Sequence, residues 1–322
     1  NRLILLFVVA LTLLITMLAW FYPPAVFPDA AWGFQVLRSM HMGGGFNLLS
    51  VADTANVGKN VPEFLTWWSP GQYLAPAIFS SILYINTGRA IVLTVCCCSL
   101  CGLAGLYFFF KKTGFSALAS AVSIAFIASQ QFYFLPYLFY NGGEILLFAI
   151  SGWFMYGCCC FNRAGLGLSL FILIAGIAGF FCKSSFLWIY VSGLLFIWLK
   201  LSLGQKQMSE WVINALWIAV PALIVFAGIY VFYLARGDNP ASGSPGFKLT
   251  LESICFPLAS PLLAGFSADD LAHGLIYHNN TPIFNTQWTH IILLLLAAAS
   301  TGLMAWLIKK IALKNYALML GI

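Results

Sequence analysis

Apolar residues run in long unbroken stretches along most of the chain, each set off from the next by one or two lysines or arginines. Eight stretches stand out, at residues 3–21, 90–110, 116–135, 145–161, 165–182, 186–203, 211–235 and 288–308. Most approach the roughly 20 residues that a helix needs to cross a bilayer. They are continuous where a barrel strand would alternate, so they predict helices. A further stretch, residues 71–85, is shorter and carries Gln72, Pro76, Ser80 and Ser81. That length suits a helix lying at the membrane surface or re-entering it. The pattern predicts an all-α, polytopic integral membrane protein with a bundle of about eight or nine transmembrane helices. It would form a single transmembrane domain over residues 1–322, with two long loops at residues 22–89 and 236–287.

Composition supports a lipid solvent. Charged residues are only 7% of the 322, and hydrophobic residues 61%, whereas soluble domains carry about 25% charged residues. The net charge of +6 is spread over helix ends and forms no stripe, which argues against a nucleic-acid partner. Cys96-Cys97-Cys98, Cys101 and Cys158-Cys159-Cys160 lie inside apolar runs, where thiols pack as small hydrophobes. They imply neither a disulfide framework nor a zinc site. Asn1 stands where a Met is expected and residues 316–322 open another apolar run, so the chain reads as a fragment of a longer one.

Charge then sets the topology. If residues 71–85 do not cross, one side holds Arg2, Lys111, Lys112, Arg163, Lys200, Lys206, Lys309, Lys310 and Lys314, nine of the 15 basic residues. If they do cross, that side keeps only Arg2, Arg89, Lys183, Arg236 and Lys248. The positive-inside rule favours the first arrangement, with eight spans and both ends cytoplasmic. Both long loops then face the extracytoplasmic side, and loops of that length are usually functional.

The first long loop holds most of the polar chemistry. Asp29 stands at an expected helix N-cap, ahead of a surface helix over residues 30–42 that carries Arg38 and His41 and ends at Gly43-Gly44-Gly45. The loop closes on Thr66-Trp67-Trp68-Ser69-Pro70-Gly71-Gln72-Tyr73, where aromatic stacking surface sits beside polar groups. Trp and Tyr also favour the membrane interface for its own sake. Arg89 and Lys183 fall at helix ends on the same predicted side, where basic residues serve as anchors or as anion contacts. Glu144 precedes a span and suits either a functional carboxylate or a helix N-terminal charge. In the second loop, Asp269-Asp270 with His273 and His278 is no metal motif, and Asn279-Asn280-Thr281 fits a glycosylation acceptor. The first loop has no Asp-x-Asp pair, so neither metal nor other cofactor is expected.

An Asp soon after the first span, a surface helix, and a Trp/Pro/Tyr motif before a short apolar helix resemble the GT-C glycosyltransferases. The nearest subgroup is the dolichyl-phosphate-mannose–protein mannosyltransferase-like and aminoarabinose-transferase-like enzymes. Their Pro-Pro-Leu-Tyr is replaced here by Ser69-Pro70-Gly71-Gln72-Tyr73. Asn141-Gly142-Gly143-Glu144 and Lys183-Ser184-Ser185 stand where the family often has an acid and a base, and the likeness covers residues 3–203. It implies a GT-C-like bundle in a bacterial inner membrane, with its site facing the extracytoplasmic side. The enzyme would move a sugar from a polyprenyl-phosphate carrier to a glycan, lipid or protein acceptor. Asp29 would be the catalytic base, with Arg89, Lys183, Glu144, Trp68, Tyr73, Arg38 and His41 about the substrate and its phosphate. Membrane lipid is a further partner. A lipid-linked-sugar transporter, or a catalytically silent subunit of a membrane assembly, are the competing readings.

Overall fold

The computed structural model describes residues 1–66, 68–237, 250–265, 277–278, 281–282 and 286–322. Trp67, Asp269, Asp270, His273, Asn279 and Asn280 lie outside the described residues, so most of the second loop receives no structural account.

The apolar stretches are helices. In chain order they are α1 (Arg2–Phe21), β1 (Ala25–Val26), α2 (Pro28–His41), β2 (Leu48–Ala52), β3 (Asn60–Phe64), α3 (Gly71–Leu83), α4 (Thr87–Thr113), α5 (Ala117–Ala128) and α6 (Gln131–Phe134). A 3-10 turn at Leu135–Tyr137 leads to β4 (Phe139–Tyr140), α7 (Gly143–Cys160), α8 (Leu166–Cys182), α9 (Phe186–Ser202) and α10 (Met208–Phe232). These belong to one compact unit, apart from residues 130–132, which include the start of α6. A second unit contains α11 (Leu251–Gly265), α12 (Thr286–Lys310) and α13 (Lys314–Leu320), with Cys255 packed against Leu293 and Ala297.

Among the described residues, five helices are long and apolar enough to cross a membrane: Arg2–Phe21, Thr87–Thr113, Gly143–Cys160, Met208–Arg236 and Gln287–Lys310. The expected span at residues 116–135 is instead a pair of helices bent by 69°, which makes six if the pair counts as one span. At the break the Ser129 hydroxyl donates to the Phe126 carbonyl, a side-chain bond of the kind that competes with the helix ladder. α8 and α9 have 17 residues each. α3 has 13, a rise of about 20 Å against a hydrocarbon core of about 30 Å. The large apolar side chains of α1 and α10, among them Leu6, Phe7, Leu14, Leu223 and Val231, are exposed, which is where lipid would replace water.

Without water, each backbone polar group needs a partner inside the protein. In the first unit α3 and α10 each carry an internal proline, and proline removes the N–H that would serve the carbonyl four residues back. In α10, Pro221 orphans the Trp217 carbonyl, and the Ser169 hydroxyl of α8 donates to it at 3.0 Å. In α3, Pro76 orphans the Gln72 carbonyl, and the Tyr140 hydroxyl donates to it at 2.5 Å. Each repair ties the interrupted helix to another element. Lys200 likewise donates to the last carbonyls of α7, Cys159 and Phe161, at 2.8 Å each. The largest helix interface is α4 on α7, where Gly105 meets Gly152: a Cβ on Gly152 would sit 2.6 Å from the Leu106 nitrogen. Small residues permit that approach.

The first loop is more ordered than its composition suggested. β2 and β3 form an antiparallel hairpin in which Leu48 faces Phe64 and Ala52 faces Asn60. Its tip is turned by Asp53 and Asn56, whose side chains accept from the backbone N–H groups of Ala55 and Gly58.

Candidate functional site

α2 begins two residues earlier than the N-cap assignment required. Pro28 takes the first helical position and Phe27 the cap, because proline lacks the N–H that would be unpaired there and its φ suits the helix. Asp29 is therefore a first-turn acid and not the cap. Its side chain is exposed.

The backbone ahead of Asp29 is set by a short parallel pairing. Ala25 pairs with Phe139 and Val26 with Tyr140, and the Phe27 N–H donates to the Tyr140 carbonyl at 3.0 Å. Parallel strands leave in the same direction, and α2 follows β1 at Pro28 while α7 follows β4 at Gly143. Each carries one acid, Asp29 and Glu144. Acids stabilise helix N-termini. Lys183, at the end of α8, forms an ion pair with Glu144. The sequence assigned those two residues separate roles, and the fold pairs them.

Beneath this surface lies Gln72, which is buried. Its side chain fills the space between Gly142 and Gly33: a Cβ on Gly142 would lie 2.5 Å from Gln72 Oε1, and one on Gly33 would lie 3.1 Å from Nε2. Gly142 also has φ +82, which disfavours any side chain. Among the described residues, Gln72 Nε2 and the neighbouring Ser69 Oγ are buried without a hydrogen-bond partner.

Tyr73 is fully buried, and its hydroxyl donates to Asn47 Oδ1 at 2.9 Å. Asn47 Nδ2 donates to the Leu65 carbonyl, and the Tyr233 hydroxyl reaches the Trp68 carbonyl at 2.8 Å. Tyr73 and the Trp68 carbonyl thus serve the packing of the loop, and Tyr73 offers no open face to a sugar. Burial pushes the Tyr73 and Tyr140 hydroxyls well above the ordinary phenol range. Asn47, with φ 58, is the residue that sequence reasoning missed. Its signal was the preceding glycine run, since Asn is one of the few residues that tolerates a left-handed backbone.

Arg89 lies in the first turn of α4. Its guanidinium covers the Trp20 ring, 5.1 Å from the centroid. Arg38 and His41 are brought together instead in a cleft of about 200 Å³. α2 supplies Phe34, Leu37, Arg38 and His41, α3 supplies Pro76, Ala77, Ser80 and Ser81, and Thr87 opens α4. A larger groove of about 380 Å³ between α8 and α10, lined by Leu173, Leu216, Val220 and Ile224, contains no titratable side chain.

The sequence-predicted residues therefore separate. Asp29 lies in the first turn of α2 after β1, Glu144 and Lys183 pair at the start of α7 after β4, Arg38 and His41 share the cleft, and Trp68 and Tyr73 belong to the packed loop. No protein-family model, curated protein or solved structure matches this chain.

Proposed function

We propose that the chain is a membrane glycosyltransferase that takes a sugar from a polyprenyl-phosphate carrier and delivers it to an extracytoplasmic glycan, lipid or protein. The observation that supports this reading is the parallel β1–β4 pairing, since α2, which bears Asp29, follows β1 and α7, which bears the Glu144 paired with Lys183, follows β4. Asp29 is the base that takes the proton of the acceptor hydroxyl. The freed oxygen attacks the anomeric carbon, and the bond to the carrier phosphate breaks with inversion. That phosphate leaves as a stable anion, so the second carboxylic acid of a glycosidase has no counterpart to supply. Its charge is met by Lys183 and by the N–H groups opening α2 and α7.

In this reading α3 stays at the surface. Counting the bent α5–α6 pair and the two 17-residue helices gives eight spans. α8 and α9 rise about 26 Å, within the range that bilayer thinning accommodates. The basic ends then face the cytoplasm of a bacterial inner membrane.

Asp29→Asn keeps size and removes basicity. In proteoliposomes supplied with polyprenyl-phosphate sugar, transfer should fall about 10²–10⁴-fold, the usual contribution of a general base. Parental turnover would overturn the proposal. It would favour a catalytically silent subunit, the reading that the closed Glu144–Lys183 pair supports.

A further inference from the structure

The α2–α3 cleft lies apart from Asp29. Nine residues separate Asp29 from Arg38 on one helix, about 14 Å along the axis and roughly half a turn around it. Leu37, Arg38 and His41 follow Phe34 by three, four and seven residues, so the four form one face, and that face is not the one carrying Asp29.

The cleft has the chemistry of an anion site. Its lining has two basic side chains and no acid. Among the described residues, neither Arg38 nor His41 has an acidic partner, since the ion pair found there is Lys183 with Glu144. Thr87 is the first residue of the 27-residue α4, whose N-terminal end carries partial positive charge and free N–H groups. Asn86 caps the Arg89 N–H of that turn, leaving the two N–H groups before it. Hydroxyls of Ser81 and Thr87 complete the polar wall, while Phe34, Leu37 and Pro76 form the apolar one.

We propose that this cleft binds a phosphate ester at a site separate from the sugar-transfer centre. Arg38 and His41 hold the phosphate oxygens, and the apolar wall takes the first carbons of the ester. The exposed Ile78, Ile82 and Leu83 of α3 set the cleft at headgroup depth, where amphipathic surface helices lie. A lipid phosphate and a soluble phosphate ester share this chemistry.

Protein purified in a phosphate-free maltoside detergent would be titrated with dodecyl phosphate, glycerol phosphate and inorganic phosphate, and binding read by ³¹P line broadening. Saturable binding of dodecyl phosphate, weakened about tenfold to a hundredfold in Arg38→Ala, is the expected result, as for a lost charge-assisted contact. Arg38→Lys should recover part of it, and Asp29→Asn should bind as the parent does. Dodecyl phosphate alone binding identifies a lipid ligand, and glycerol or inorganic phosphate binding equally well identifies a soluble one. No saturable binding of any probe, or undiminished binding in a folded Arg38→Ala/His41→Ala protein, overturns the proposal. A binding loss in Asp29→Asn would overturn the separateness of the two sites.

Discussion

The two polar regions of the first loop share α2 yet are built in opposite ways. The β1–β4 surface is closed on itself. Its lysine already has a carboxylate, its glutamine is wedged between two glycines, and the tyrosines below it donate to Asn47 and to the Gln72 carbonyl. The cleft is open, with two basic side chains, hydroxyls, and no acid in its lining. Unmet buried hydrogen bonds are costly, whereas exposed charges cost little until a ligand arrives. The first region should therefore reveal itself through folding, and the second through binding.

The largest effect should follow from Asn47→Ala. It strands the Tyr73 hydroxyl, leaves the Leu65 carbonyl with the Tyr233 hydroxyl as its remaining side-chain donor, and puts Ala at a left-handed φ. The loss should be about 3 kcal/mol or more by thermal unfolding in detergent. A loss under about 1 kcal/mol would show that the loop is not held from this point. Next, Lys183→Ala should cut donor turnover about tenfold to a hundredfold, while stability changes by no more than about 1 kcal/mol, the usual worth of a solvent-accessible ion pair. A fall in stability without a fall in turnover would make the pair purely structural.

Tyr140→Phe should cost about 1–3 kcal/mol, because the Gln72 carbonyl freed by Pro76 loses its donor. It also carries a pH signature. A tyrosine raised in the folded state contributes stability that is complete below its unfolded pKa of about 10 and is lost as pH rises above that value. Unfolding measured from pH 9 to 11 should therefore show a steeper fall in the parent than in Tyr140→Phe. Equal slopes would remove Tyr140 from the buried network.

Much of this architecture was legible in the sequence. Continuous apolar runs gave helices because lipid permits little else, and the 13-residue α3 follows from the short run at residues 71–85. The N-cap was misplaced because Asp29 was weighed as a cap while Pro28 was not weighed as a first helical residue. The hairpin went unseen because its strands are five residues each, too short for alternation to stand out. The meeting of Glu144 with Lys183, and of Tyr140 with the carbonyl behind Pro76, depends on which helices become neighbours. Local periodicity has no information about that.

The smallest predicted effect is the one that separates the regions most sharply. Arg38 is exposed in the last turn of α2 and makes no ion pair among the described residues. Removing its side chain strands no buried donor or acceptor. It does remove a positive charge from a helix C-terminus, a stabilising position worth about 0.3–1 kcal/mol. That term is screened by salt. Arg38→Ala should therefore unfold within about 0.5 kcal/mol of the parent at moderate salt, as surface substitutions usually do. Adding Asn47→Ala should simply add the two losses, because the residues share no partner. A loss of more than about 2 kcal/mol in Arg38→Ala alone, or strong non-additivity with Asn47→Ala, would mean that the guanidinium braces the α2–α3 seam. The cleft would then be part of the closed network and not the open counterpart to it.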